Sequence, residues 1–321
     1  MPTLQRAPTR DFRTAAIDGG RWASFTPRPG DIVIATYPKC GTTWTQRIVD
    51  LLVFQDPAPR PVLKMSVWLD ARFFASLADD LATLQAQAHR RFIKSHLPFD
   101  ALPIYEDVKY IHVARDGRDA FMSWHNHLRG FTPKMRERIA TLAALDPELP
   151  PAPPPGDPPE DPQLFYQGWI ARAEAEPRAG PGEELSFFDF ETTYWRERRR
   201  ENLLLVHYND LKADLAGEMG RLSRFLDIDT PTDRLAALAE AARFDRMKAD
   251  GGALLPDIEE AFDRGPERFL NQGTNGRWKD VLTHGDLARY EAVARRKFSP
   301  ACAAWIEHGR LQAGDPRMAP D

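Results

Sequence analysis

The sequence predicts an α/β fold of three layers, in which a central, mostly parallel sheet is flanked by helices. Two short apolar runs without alternation, Ile32–Ala35 and Leu203–His207, have the composition of strands buried on both faces, and 108–114 also reads as a strand. The first run passes through a glycine-bearing loop onto Trp44, Ile48, Leu51 and Leu52, which recur at helical spacing, and the segment after 108–114 repeats that logic. At 321 residues the chain can bury a sizeable core, and one α/β domain of this length is ordinary.

Composition narrows the classes of function. Hydrophobic content of 42% and charged content of 28% suit a soluble globule. A net charge of -4 and a pI near 6.1 argue against nucleic acid or a membrane surface as partner, so any basic site must be local. Cys40 and Cys302 are too few for a disulfide framework and lack metal-ligand spacing; a reducing cytoplasm suits them. The first twenty residues hold no apolar signal region, and no stretch is long enough to span a bilayer. The expected location is cytoplasmic.

Residues 1–30 are polar and punctuated by Pro27 and Pro29, which reads as a partly ordered lead-in to a domain over 31–310. The stretch 31–54, DIVIATYPKCGTTWTQRIVDLLVF, then gives a strand, a tight loop and a helix. Pro38 closes the strand because it has no N–H for the ladder. Gly41 permits a backbone conformation or a close approach that a side chain forbids. The first N–H groups of the helix lack partners and its dipole is positive there, so Lys39, Thr42 and Thr43 add donors to a site for phosphate or sulfate. Lys39 precedes the only glycine of the loop, whereas an ATP-binding Walker loop places its lysine after the second; an ordinary ATP or GTP site is disfavoured. Cys40 at a helix start invites comparison with a nucleophilic thiolate. The spacing to Arg47 is wrong for a cysteine phosphatase, and a small side chain inside a tight loop is the simpler reading.

Between residues 60 and 89, Trp68, Phe73, Phe74, Leu77, Leu81 and Leu84 follow a helical pattern and read as core. RRFIKSHLPF, 90–99, gives a short strand that ends in Lys94, Ser95 and His96, where open parallel sheets present ligand-binding groups. In 108–128, Arg115 stands at a strand end and can clamp a phosphate, Asp116 and Asp119 favour a helix start, and Ser123 offers one more donor. His125 and His127 lie two apart on that helix, on different faces, which argues against a metal pair. From 131 to 180 the sequence loosens. Eight prolines from Pro150 through Pro162 indicate a loop over about 147–163, a disordered insertion or a lid over a binding pocket. An aromatic helix with a basic, solvated tail follows in 185–200, then Leu203–His207 with Tyr208, an amphipathic helix Leu215–Phe225, the ARFDRMK segment and FLNQGTNGRWKDVLT. A C-terminal helix over 287–308 reads as scaffold, and 311–321 as a tail.

Taken together, YPKCGTTW, KSHLP, the Arg115 and Ser123 pair, the strand before Tyr208, Phe244 with Met247, and Gly273, Gly276, Trp278 and Lys279 resemble the cytosolic sulfotransferase family in its order over most of 31–300. The resemblance implies a P-loop-like fold and transfer of a sulfuryl group from 3'-phosphoadenosine 5'-phosphosulfate (PAPS) to a hydroxyl or amine, leaving 3',5'-bisphosphoadenosine (PAP), with no metal. It implies that the loop Lys39, Cys40, Gly41, Thr42, Thr43 and Trp44 grips the phosphosulfate, and that Lys94 contacts the transferring group. His96 would be the base, Arg115 and Ser123 would hold the 3'-phosphate, and Tyr208, Phe244 and Met247 would border the adenine. Cys40 replaces the family's common serine. Asn271 and Gln272 replace an Arg-Lys pair before Gly273, so two charge-assisted contacts to the 3'-phosphate become neutral and donor affinity is expected to weaken. A small-molecule kinase of similar architecture and a non-catalytic nucleotide binder are the alternatives. The acceptor, a small hydroxylated molecule, and the oligomeric state are left open by the sequence.

Overall fold

The structure, a computed structural model, describes residues 2–147, 149, 156–177 and 180–321. Among the described residues six strands form: β1 (Leu4–Arg6), β2 (Ile32–Ala35), β3 (Phe92–Ser95), β4 (Ile104–Tyr105), β5 (Lys109–Ala114) and β6 (Leu203–His207). β1 and β4 make a small antiparallel ribbon, and the other four form a parallel sheet in the order β3-β2-β5-β6. Within that sheet Ile34 stands opposite Lys94 on one side and Ile111 on the other.

Side chains of the central strand alternate between two cores. Val33 and Ala35 join one apolar cluster with Ile93 and Tyr110, while Ile32 and Ile34 join the other with Phe92, Ile111 and Val113. Every residue of β2 is buried, because helices cover both faces. The chain leaves β2 toward β3, then crosses to β5 on the opposite side, so the loops after β2 and β5 meet at the reversal point of the sheet. Ligands of open α/β sheets bind there.

Five expectations are corrected. The lead-in is packed: Phe12, Ile17, Trp22 and Phe25 are buried, and Arg91 pairs with Asp31 beneath them. The 60–89 region is not one helix; Val62–Met65 and Leu77–Ala86 are helical, and between them Trp68 bridges to Lys94 beside β3. Asp70 fixes that irregular course by accepting from the Trp22 and Trp68 indoles and the His96 N–H. The loose region carries two helices, Pro133–Ala144 and Pro162–Glu174, capped by Thr132 and Asp161. Proline is excluded from a helix interior but suits its first position, where Pro133 and Pro162 stand. Part of the expected proline-rich loop, 150–155, lies outside the described residues. Pro300 divides the C-terminal helix into His284–Lys297 and Pro300–His308, the second capped by Ser299.

The basic tail after the aromatic helix Phe187–Arg196 is only partly solvated. Arg198 is buried and donates to the Pro316 carbonyl at 2.9 Å, which ties down the C-terminal segment.

Candidate active site

The loop after β2 turns sharply. Lys39 adopts φ 71° and Gly41 φ 117°, both left-handed, before the helix Thr42–Phe54 begins. A Cβ on Gly41 would stand 3.1 Å from the Tyr208 ring, so the glycine serves both conformation and close approach. Trp44 pins the helix start by donating to the Ala242 carbonyl at 2.7 Å and meets Tyr208 edge-on at 5.2 Å. Thr42 is committed to Thr36, oxygen to oxygen at 2.6 Å, while Thr43 remains half-buried at the helix mouth. Cys40 is fully buried, and burial followed by the nearby Glu191 carboxylate pushes its thiol well up, which removes the thiolate reading.

Lys39, Lys94, His96 and His127 converge at the carboxyl ends of β2 and β3. His96 Nδ1 lies 2.7 Å from the Thr36 carbonyl, a contact only an N–H can make, so the proton sits on Nδ1 and Nε2 keeps its lone pair. Burial, then the Lys94 and Lys39 cations, hold the His96 pKa well below the ordinary imidazole value, and the ring is neutral at pH 7. Lys94 Nζ lies 3.6 Å over the Trp68 ring; burial and Lys39 bring its pKa down to about 7 against the pull of Asp70. Lys39 Nζ lies 3.2 Å from His127 Nδ1 and 4.9 Å over the Phe269 ring, and burial with the Arg115 charge lowers its pKa to about 8.

Arg115, at the end of β5, is buried and lies 4.2 Å over the Tyr208 ring. Its guanidinium donates to the Thr274 carbonyl at 3.0 Å and Asn275 Oδ1 at 2.6 Å, bringing the 271–276 loop against the β2 loop. Asp116 caps the helix Gly117–Arg129, which carries Ser123 half-buried on its second turn. Asp119 accepts from the Gly276 N–H at 2.7 Å. Phe244 lies directly under Gly273, where a Cβ would meet its ring at 2.8 Å, and Tyr208 Oη donates to the Gly273 carbonyl at 3.3 Å. Met247, by contrast, is buried in the apolar core. Asn271 takes φ 33° and its carbonyl accepts from Lys248, while Gln272 is exposed, so neither side chain brings charge to the cleft. Among the described residues no group of three His, Cys, Asp or Glu side chains is placed to hold a metal.

Residues 29–300 match the family described as the sulfotransferase domain. The chain belongs to the sulfotransferase family. A glycolipid sulfotransferase of Mycobacterium bovis is 34% identical over 93% of this chain and 94% of its own length. Sulfotransferase 1B1 of Mus musculus is 27% identical over 88% of each. In fold, the chain is similar to mouse sulfotransferase SULT7A1 complexed with PAP, at a TM-score of 0.63 and 20% identity over 88% of this chain and 89% of the other. A retinol dehydratase crystallised with androsterone and PAP gives 0.65 at 21% identity, over 87% and 84%. The protein is thus a PAPS-dependent enzyme of sulfuryl transfer, and the kinase alternative is set aside.

Three residues of this sulfotransferase's cleft were missed or misread in the sequence. Trp68 read as core yet forms a wall against Lys94 and His96. Asp70 was not singled out, although an acid inside an aromatic run is a signal. His127 was weighed only as half of a metal pair; standing four residues after Ser123, it shares that residue's helix face and reaches Lys39. Among the described residues no helix is long and apolar enough to cross a membrane.

Proposed function

We propose that this sulfotransferase transfers the sulfuryl group in line to a hydroxyl, with His96 as general base. The observation that carries the reading is the His96 tautomer: a neutral ring with Nδ1–H tied to the Thr36 carbonyl and Nε2 unprotonated, beside two lysines. His96 Nε2 takes the hydroxyl proton as the new oxygen–sulfur bond forms and the bond from sulfur to the bridging oxygen breaks. Lys39 neutralises charge on the departing oxygen, with His127 accepting one of its N–H bonds and leaving two for the donor. Lys94 and the Thr43 end of the loop bear on the sulfonate and 5'-phosphate, Arg115 and Ser123 on the 3'-phosphate. Tyr208, Trp44 and Phe244 flank the adenine.

The cleft fits that donor on its own evidence. Among the described residues Arg115 keeps a buried Nε without a partner, and the helix Thr42–Phe54 begins at the loop that carries Lys39, so N–H donors are left over for an anion there.

For the acceptor we favour an amphiphile that presents a hydroxyl to His96. Two aromatic clusters stand by the cleft, Trp68 with Phe73 and Phe74 against His96, and His127 with Phe131, Phe262 and Phe269 against Lys39. Next to the first cluster a groove of about 500 Å³ is bounded by Arg72, Lys134, Glu137 and Arg138 with Ala75 and Leu142. Aromatic clusters at the cleft with a charged groove beside them suit a molecule with an apolar body and a sugar or alcohol head, in keeping with the glycolipid activity named for the mycobacterial relatives. The two buried cysteines support a reducing, cytoplasmic setting.

The test is His96→Ala assayed with PAPS and a panel of glycolipids, sterols and phenols, read by mass gain of one sulfonate. We expect PAP affinity to stay within about threefold and turnover to fall by roughly 10²–10⁴-fold. Unchanged turnover removes His96 from the base role; transfer to simple phenols alone removes the amphiphile.

A further inference from the structure

The loss of the Arg-Lys pair at Asn271 and Gln272 leaves a charge deficit toward the 3'-phosphate, and the fold fills the gap from elsewhere. Arg277 follows Gly276 at the start of a short 3₁₀ turn, Arg277–Asp280, and is half-buried. Its Nε is buried and has no hydrogen-bond partner among the described residues, and the same holds for Arg115 Nε. The two guanidiniums act on each other electrostatically, and each is felt by Tyr208. Lys212, whose Nζ donates to the Gly273 carbonyl at 2.9 Å, feels Arg115 as well.

Three cations therefore gather around Tyr208 and the 273–277 loop. Among the described residues Asp119, which also accepts from the Gly276 N–H, is the carboxylate felt by all three, and one carboxylate offsets only part of three positive charges. Like charges brought together in a partly buried place, with N–H donors left over, are unfavourable unless an anion joins them. Of the charges on the donor, the 3'-phosphate is the one that the Arg115 side of the cleft receives in the reading above, on which this inference rests.

We infer that Arg277, assisted by Lys212, supplies the second cation of the 3'-phosphate site in place of the missing Arg-Lys pair, and so sets the preference for 3'-phosphorylated nucleotides. The charge is relocated: it comes from the residue after Gly276 instead of the two before Gly273. Affinity for the donor need not be weak despite the neutral pair.

The experiment compares calorimetric affinities for PAP and for 5'-AMP, which lacks the 3'-phosphate, in the native chain and in Arg277→Ala, Arg277→Lys and the triple variant Arg277→Ala with Asn271→Arg and Gln272→Lys. Loss of a charge-assisted contact predicts PAP binding weakened roughly 10- to 100-fold in Arg277→Ala. AMP binding, which also reports that the fold is intact, should change less than about threefold, since it forms no such contact. Arg277→Lys should retain most of the preference, and the triple variant should regain it. Equal losses for PAP and AMP in Arg277→Ala, or no loss for either, overturn the inference. A native chain that binds PAP no better than AMP instead overturns the donor placement itself, so the two failures are distinguishable.

Discussion

Replacing Lys94 by methionine tests how burial tunes this cleft. In the unliganded protein Lys94 has a pKa of about 7 and Lys39 of about 8, because burial strips water from both ammonium groups, Lys39 repels Lys94 and Arg115 repels Lys39. An anion bound between them restores the charged forms, so binding must take up protons. At pH 8 roughly nine-tenths of Lys94 and about half of Lys39 are neutral, which predicts an uptake of about 1.4 protons per PAPS bound. Between pH 7 and 9 the same linkage raises Kd about 50-fold through Lys94 and about tenfold through Lys39.

The assay is calorimetry of PAPS without acceptor at pH 8, in two buffers of different ionisation enthalpy. Lys94→Met should cut the uptake by about 0.9 proton and leave the share belonging to Lys39. The sign for stability is opposite to that for affinity. An unfolded lysine holds its proton to about 10.5, so the free protein carries the full penalty of burying the charge below pH 7 and is relieved of it as pH rises from 7 toward 10.5. Lys94→Met should therefore raise the Tm of the unliganded chain at pH 6 while weakening PAPS binding. Uptake below about 0.3 proton, or uptake unaffected by Lys94→Met, would refute the reasoning.

Two further outcomes follow from the geometry. Cys40→Ser should preserve turnover within about threefold, and the native enzyme should resist iodoacetamide at pH 7.5, because the thiol is buried with its pKa pushed well up; rapid inactivation blocked by Cys40→Ser would contradict this. Asp70→Asn leaves at least one of three N–H donors facing an amide NH₂, at a cost of about 1–3 kcal/mol in stability measured by urea unfolding. Its kcat should fall more than its PAP affinity, since the His96 backbone loses its anchor; a proportionate loss of both would deny Asp70 a positioning role.

The sequence by itself determined the parallel sheet, through apolar runs that have no polar face to offer water, and it determined the anion loop, through one glycine and its neighbouring donors. Both signals are local, carried by a few consecutive residues whose backbone geometry follows from their chemistry. Tertiary structure alone decided the rest. Only the placement of residue 68 beside β3 puts the Trp68 ring under Lys94, and only the return of the 273–277 loop brings Arg277 near Arg115 across 162 positions of chain. The lysine pKa values and the His96 tautomer belong to the same class. They arise from burial and from the Thr36 carbonyl, and burial is a property of the packed neighbours and not of the residue.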